Sequence, residues 1–129
     1  MANENNMKNI VSYLGPHTVF EGDIHVTGDL HIDGTFSGSV VCDGDVIIGE
    51  GSQITGQVTA ENILISGKFN GNATARASLE VFEMGHVEGD INGRRLLIHE
   101  GGVYKGKVTM DVIQSTSPYE GVFQLIKKS

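Results

Sequence analysis

A five-residue pattern occurs six times along this chain, and each copy reads apolar, polar, Gly, polar, apolar. The copies are residues 20–24, 36–40, 54–58, 69–73, 87–91 and 104–108. Their central glycines are separated by 16, 18, 15, 18 and 17 residues. Apolar residues at a period of two are typical of a strand with one buried face. Because these units return at a short interval with no helical segment between them, they predict a parallel β-helix with one copy in each turn.

Aligning the copies places apolar residues in five columns that we expect to face inward. The first and second columns are Phe20, Phe36, Ile54, Phe69, Val87, Tyr104 and Ile24, Val40, Val58, Ala73, Ile91, Val108. The third column, of smaller residues, is Val26, Cys42, Ala60, Ala75, Gly93, Met110. The fourth and fifth columns are Leu30, Val46, Ile63, Leu79, Leu96, Ile113 and Ile32, Ile48, Ile65, Val81, Ile98. This register makes a one-residue slip testable, since a slip would turn every inward side chain outward.

The uneven spacing of the repeats indicates where the corners lie. The insertions fall between the fifth and first columns, at residues 49–53 and 99–103, where glycine allows a sharp turn. A second corner, between the second and fourth columns, loses one residue at 58–63 and 91–96. Left-handed β-helices use strict hexapeptides, which steps of 15 and 16 residues break. We therefore predict an all-β, single-domain, right-handed parallel β-helix, a triangular solenoid of about six turns with flexible tails.

We divide the chain into a flexible N-terminal tail (1–15), a β-helix domain (16–113) and a C-terminal tail (114–129). The N-terminal tail is polar except for a short apolar patch, Ile10, Val11, Tyr13 and Leu14. Two interpretations of this patch stay open. It either covers the exposed layer of the first turn, or it is a weak anchor to a membrane surface.

Composition limits the possible partners and compartment. The 129 residues fit one domain, and the net charge of −7 disfavours a nucleic-acid partner, which would need a basic surface. The charge is uneven, with nine acids and one base up to Ile65, and seven acids and eight bases after it. The lone Cys42 falls in the third column, where we expect a buried structural thiol, and it agrees with a reducing cytoplasm.

The sequence contains little that indicates catalysis. No phosphate-binding motif is present, so assembly driven by nucleotide is not supported. His25 and His31 alternate with inward columns and should face water, whereas His86 and His99 lie at corners of neighbouring turns and could approach one another. A metal needs three or four converging ligands. We therefore expect no catalytic residue, no metal and no cofactor.

The ends of the predicted solenoid indicate self-association instead. The first and last turns of a β-helix present an open backbone edge and an uncovered core layer. We predict an assembly contact formed by Phe20 and Ile24 at one tip and by Tyr104, Val108 and Met110 at the other. The alternative is a β-helix enzyme of the hexapeptide acyltransferase or metal-dependent type, acting as a closed trimer.

Several segments resemble the bactofilins over about residues 15 to 110. The segments are Gly15-Pro16 and residues 20–24, 28–34, 48–51, 87–91 and 96–106. Tyr104 departs from the phenylalanine that is frequent there in the family. The resemblance implies a structural cytoskeletal protein, not an enzyme, whose β-helix domain polymerises into filaments without nucleotide.

The resemblance also implies where such filaments act and what they contact. Bactofilins are bacterial proteins of the cytoplasm that lie at the inner face of the cell membrane. They serve cell shape, wall synthesis or the positioning of other proteins. The expected partners are therefore further copies of this chain, the inner membrane surface, and cell-wall or morphogenesis proteins.

Overall fold

The computed structural model describes the backbone of residues 11–115 and 124–127, and the side chains of residues 13–109. Ten strands occur in this part of the chain, every pairing between them is parallel, and no helix is present. The strands are β1 (Val11–Leu14), β2 (Val19–Val26), β3 (Asp29–Ile32), β4 (Thr35–Cys42), β5 (Asp45–Ile48), β6 (Gln53–Ile65), β7 (Lys68–Val81), β8 (His86–Ile98), β9 (Val103–Ser115) and β10 (Gln124–Lys127). The predicted all-β parallel solenoid is confirmed.

Successive turns stack directly on one another. The first turn consists of β2 and β3, the second of β4 and β5, and each of β6, β7, β8 and β9 then makes one turn. Strand β2 pairs with β4 and β4 with β6, while β3 pairs with β5 and β5 with β6. The four long strands pair along nearly their whole lengths. Six turns therefore form a single continuous ladder.

For the residues whose side chains the structure describes, the register confirms the five inward columns. The first column pairs Phe20 with Phe36 at the start of the rod and Val87 with Tyr104 at its end, and the other four columns align in the same way. The core is almost fully buried from Leu30 to Val108. The rings of Phe20 and Phe36 stack with centroids 5.3 Å apart and planes 3° from parallel. The interior of the solenoid is thus filled by apolar side chains that stack on the equivalent side chains of the neighbouring turns.

A column of glycines runs alongside these apolar columns. Its members are Gly22, Gly38, Gly56, Gly71, Gly89 and Gly106, which are in register and have φ angles from 126° to 139°. The repeat pattern alone does not explain why glycine stands there. The backbone does, because a Cβ on Gly71 would lie only 1.9 Å from the carbonyl oxygen of Gly56. Only glycine permits both this conformation and this approach.

The corners lie where the spacing of the repeats predicts them. At the insertion corner, Gly51 and Gly101 have φ angles of 83° and 94°. Ser52 is buried there, and its hydroxyl lies 2.7 Å from the carbonyl oxygens of both Ile32 and Gly49. At the deletion corner, the pairing of β6 with β7 shifts by one residue after Ala60. Changes in turn length are thus absorbed at the corners, and the columns stay in line.

The ladder extends into both segments that the sequence assigned to tails. Strand β1 pairs with β3, which places Leu14 beside Ile32 at the head of the fifth column. Strand β9 continues to Ser115, and β10 adds a short strand that pairs with residues 107–110 of β9. Each end of the rod therefore carries an incomplete extra turn.

We expect Gly71→Ala to destabilise the fold more than Gly51→Ala. Both glycines have positive φ, but a Cβ at Gly51 would have no atom within 4 Å, whereas at Gly71 it would clash with backbone. Strain alone should cost about 1–2 kcal/mol at Gly51. Strain and clash together should cost about 3 kcal/mol or more at Gly71. Urea unfolding followed by circular dichroism measures both losses, and equal losses would contradict a close approach between turns.

Candidate assembly surfaces at the two tips

The N-terminal tip leaves two apolar columns incompletely covered. Strand β2 pairs with β4 on one side, and on its other side no strand of the described chain pairs with it. Phe20 and Ile24 are only partly buried, whereas the next residues in their columns, Phe36 and Val40, are each 1% exposed. Val19 lies on the same strand and is 71% exposed. This tip therefore combines an open backbone edge with apolar side chains.

Strand β1 covers a different side of the same tip. Leu14 packs against the core, while Tyr13 points outward and is 56% exposed. The Tyr13 hydroxyl donates a hydrogen bond of 2.8 Å to Asp33, and this bond raises the pKa of Tyr13. The Tyr13 ring also meets His31 edge-on, with centroids 5.3 Å apart. The side chains of the other two patch residues, Ile10 and Val11, lie outside the described part.

The first two columns are more fully covered at the C-terminal end than at the N-terminal one. Tyr104 and Val108 are both 0% exposed. Strand β10 lies next to β9 and places Leu125 beside Val108 in the register. Met110 pairs through its backbone with Lys127, and its side chain lies outside the described part. Of the five residues predicted to form the assembly contact, the structure thus leaves Phe20 and Ile24 partly exposed and buries Tyr104 and Val108.

The Tyr104 hydroxyl is held inside the last turn. It lies 2.6 Å from the carbonyl oxygen of Gly89 and 2.7 Å from that of Lys107, so its proton can be donated to either. Burial, reinforced by the nearby carboxylate of Asp90, raises the pKa of Tyr104 well above its usual value. The ring therefore stays neutral in the fold. A charged residue at this position would be buried, so such a substitution tests folding and not assembly alone.

Histidines and carboxylates pair on the outer surface. His25 is exposed and His31 is half-exposed, as their place in the register predicts. His86 lies 3.1 Å from Glu88, and His99 lies 2.8 Å from Glu80 while stacking on Phe82. Among the residues that the structure describes, no three His, Cys, Asp or Glu side chains come together as metal ligands. Each of these two corner histidines has a carboxylate partner, and they are not brought together around a shared site.

Cys42 is buried in the third column, as predicted. Its thiol lies 3.0 Å from the carbonyl oxygen of Gly28. Burial raises the pKa of the Cys42 thiol, and this keeps it protonated.

A surface cavity of about 870 Å³ lies at the insertion corner. Glu50, Phe82, Glu83 and Met84 are among the residues that line it. It is an open groove between protruding turns. The tips remain the more distinctive surfaces of the molecule.

Comparison with known proteins now identifies the family. A family model described as bactofilin, polymer-forming cytoskeletal, matches residues 12–109. The chain belongs to the bactofilin family. This bactofilin is 30% identical over 99 residues to Bactofilin BacO of Myxococcus xanthus (strain DK1622). The aligned region covers 77% of this chain and 79% of BacO.

A second relative, Bactofilin BacP of the same organism, is 27% identical over 101 residues. That match covers 78% of this chain but 42% of BacP, so the chain spans less than half of that relative. No solved structure matches. The described residues contain no helix of the length and hydrophobicity that a membrane crossing requires.

Two features of the tips escaped sequence reasoning, and one of them left a signal. Leu14 precedes Ile32 by 18 residues, a step that the repeats themselves use, so it could have been placed in the fifth column. The return of β10 onto β9 had no comparable signal. It depends on where the chain comes back after the last turn, which the repeat pattern does not encode.

We expect Tyr104→Phe to lower the free energy of unfolding by about 1 kcal/mol, because the buried hydroxyl loses its hydrogen bond. The variant should also lose less stability between about pH 7 and about pH 10.5, where an unfolded tyrosine ionises. The pKa of Tyr104 is raised in the fold, so the stability it contributes is fully present below the unfolded pKa and is lost as the pH rises.

Urea unfolding at the two pH values measures both effects. Tyr13→Phe is the matched control, since it removes an exposed tyrosine hydroxyl and should cost less at neutral pH. A wild-type chain and a Tyr104→Phe variant with the same pH dependence would contradict the buried, neutral state of Tyr104.

Proposed function

We propose that this bactofilin is a structural, non-enzymatic protein that assembles into filaments, without nucleotide, by stacking its solenoids end to end. The observation that carries the proposal is the N-terminal tip. There, Phe20 and Ile24 are partly exposed at the head of apolar columns, beside the edge of β2 that no strand of the described residues pairs with. The polymer-forming description of the family supports a repeated self-contact. In a filament, this N-terminal tip would contact either the C-terminal tip or the N-terminal tip of the next molecule.

The energy for such stacking would come from the ladder itself. A strand placed against β2 would continue the spacing of roughly 4.8 Å between neighbouring strands. Each new hydrogen bond along the eight residues of β2 would contribute about 0.5–1.5 kcal/mol net. Completing the burial of Phe20 and Ile24 would add part of the 1.5–3 kcal/mol or so that full burial provides. These terms act without any hydrolysis step.

We expect Ile24→Arg to leave a folded rod but to shorten or abolish filaments, because it places a charge in the tip contact. Ile24 is already partly exposed, so the arginine can reach water in the single molecule. The matched control is Val41→Arg, since Val41 is 44% exposed on the side of the rod and not at a tip. Negative-stain microscopy of the purified proteins without nucleotide measures filament length.

Unchanged filaments in Ile24→Arg would exclude stacking through the N-terminal tip. Loss of filaments in both variants would mean that adding an arginine anywhere on the surface disrupts assembly, so the effect would not be specific to the tip. Sedimentation distinguishes filament assembly from the alternative, a β-helix enzyme of the hexapeptide type. Such an enzyme would form one closed trimer, whereas a filament-forming protein would give an open series of sizes. A closed trimer would overturn the proposal.

We further propose that the filaments lie at the inner face of the cell membrane, where they act in cell shape, wall synthesis or protein positioning. The support is the resemblance to the family together with Tyr13, which is 56% exposed next to Ile10 and Val11 in the sequence. A single copy of so short a patch would bind weakly. A filament presents many copies at once, which would turn weak contacts into stable attachment.

We expect filaments of an Ile10→Ser/Tyr13→Ser variant to pellet less with anionic liposomes than wild-type filaments. These substitutions remove apolar area and leave the pairing of the β1 backbone possible, which deletion of residues 1–14 would not. Val41→Ser is the control for loss of an exposed apolar residue elsewhere. Equal pelleting of all three proteins would mean that the patch is a cap and not an anchor.

A further inference from the structure

One row of side chains on the outside of the rod is largely apolar. It lies between the fourth and fifth columns, and because those columns point inward, the residues between them point outward. Ile47, Leu64 and Leu97 belong to this row and are partly exposed. In register, the members of the row are Tyr13, His31, Ile47, Leu64, Glu80 and Leu97.

Phe82 continues the apolar surface in the one turn where this row carries a carboxylate. Glu80 lies 2.8 Å from His99 Nε2, and the His99 ring stacks on Phe82 with centroids 4.8 Å apart and planes 8° from parallel. Phe82 itself is partly exposed. Four successive turns therefore each place one apolar side chain on this side of the rod. We call Ile47, Leu64, Phe82 and Leu97 the outer stripe.

Outward rows on the side of the rod that begins with β2 and β4 are polar by comparison. The two rows beside the glycine column contain only charged residues, Ser, Thr, Asn and Gln between Glu21 and Lys107. The next row carries one aliphatic residue, Val41, between His25 and Asn92. Isolated apolar residues are normal on a protein surface, whereas adjacent ones rimmed by polar groups mark interaction sites. The outer stripe is such a surface.

Carboxylates flank the outer stripe on both sides. Asp29 and Asp45 lie on one side, immediately before the fourth column. On the other side, Glu50 and Glu83 line the groove of the insertion corner together with Phe82 and Met84, and Met84 is 63% exposed. The further acids and the cations nearest to this surface are Asp33, Glu100, Arg95 and Lys68. Acids thus predominate around an apolar centre.

We infer that the outer stripe binds a basic amphipathic helix of another protein. A helix lying along the rod would repeat its apolar residues about every 5.4 Å, close to the spacing of roughly 4.8 Å between turns. The three steps from Ile47 to Leu97 cover about 14 Å, which about ten helical residues span. Lysines and arginines on the flanks of such a helix would reach the carboxylates on both sides.

Charge complementarity favours this occupant over three others. A nucleic acid or an anionic membrane surface would be repelled by the flanking carboxylates. A second copy that presents the same face would bring acids against acids. A helix with an apolar face and cationic flanks matches both the stripe and its surroundings.

The contact needs one folded rod only, so it goes beyond the proposed filament assembly and does not depend on it. A shallow stripe of four side chains would hold one helix weakly. If the rods do form filaments, the stripe returns in every subunit, and a partner with several such helices would be held more firmly.

A synthetic peptide serves as the probe for this surface. It is a fluorescein-labelled peptide of about 14 residues made of leucine and lysine, with the leucines on one face of the helix. A scrambled peptide of the same composition has the same charge but no apolar face. We expect fluorescence anisotropy at about 50 mM salt to show that the purified protein binds the amphipathic peptide at least about tenfold more tightly than the scrambled one.

Leu64→Gln/Leu97→Gln removes the apolar centre of the stripe. Glutamine is the next residue of this row in the register, at Gln114, so the fold should accept it. We expect the affinity for the amphipathic peptide to fall about tenfold, because two leucines no longer bury their apolar area. The matched control is Val19→Gln/Val41→Gln, which removes two exposed valines from other sides of the rod and should bind as wild type.

Glu50→Gln/Glu83→Gln removes two of the flanking charges. We expect a loss of a few fold in affinity at about 50 mM salt that disappears at about 500 mM, because salt screens exposed charges. The matched control is Glu21→Gln/Asp43→Asn, which removes two exposed acids elsewhere on the rod and should bind as wild type. Equal losses in both charge variants would mean attraction to the net charge alone and would overturn the inference.

Oxidation of Met84 reports where the peptide binds. Met84 is exposed in the groove beside Phe82, so a bound helix should slow its conversion to the sulfoxide by hydrogen peroxide. Mass spectrometry of the wild-type protein measures this rate with each peptide present. Slowing by the amphipathic peptide and not by the scrambled one supports the inference. Tight binding with an unchanged rate at Met84 would place the helix elsewhere and overturn it.

The remaining outcomes separate a helix from the other occupants. No preference of wild type for the amphipathic peptide, or an unchanged affinity in Leu64→Gln/Leu97→Gln, would overturn the inference. If this variant keeps its affinity for the peptide but pellets less with anionic liposomes, the stripe faces a membrane. If it keeps that affinity but forms shorter filaments by negative-stain microscopy, the stripe is a contact between copies. Either result would replace the proposed partner.

Discussion

Hydrogen bonding between the backbones of successive turns is the interaction on which the rest of this structure depends. Parallel strands satisfy one another's N–H and C=O groups only if each turn lies directly over the last. The glycine column shows how strictly this holds, because a single Cβ on Gly71 would meet the carbonyl oxygen of Gly56. The inward columns follow from the same condition, since turns in register must stack equivalent side chains.

A ladder of this kind must stop somewhere, and the two ends stop differently. At the N-terminal tip, β1 covers the fourth and fifth columns, and within the described part of the chain no strand covers the outer edge of β2. At the C-terminal tip, β10 covers residues 107–110, and the Tyr104 ring is sealed inside by burial and hydrogen bonds. The two ends therefore differ in how far their first two columns are covered, since Phe20 and Ile24 are partly exposed while Tyr104 and Val108 are 0% exposed. Any assembly through them begins from this difference, and for that reason the N-terminal tip carries the proposed function.

Side chains on the sides of the rod are less constrained in type than those at its ends. Outward side chains need only be tolerated by water, so their sequence is free to vary from turn to turn. Stacking nevertheless converts sequence into position, and residues some 16 apart become neighbours along an edge. Arg76 and Glu61 meet in this way, with Arg76 Nε 3.3 Å from Glu61 Oε1. An uneven charge along the chain thus becomes a patterned surface on the rod.

Local pattern by itself determined the fold of this bactofilin and most of its core. Alternation of side chains within a strand is a short-range property, so the columns from Phe20 to Tyr104, the two corners and the buried Cys42 could be read from spacing. Only the tertiary structure decided the opposite orientations of Tyr13 and Leu14, the burial of Tyr104, and the ion pair between Arg76 and Glu61. These depend on which distant segments meet at the tips and corners, and contacts of that range are set by the whole stack of turns.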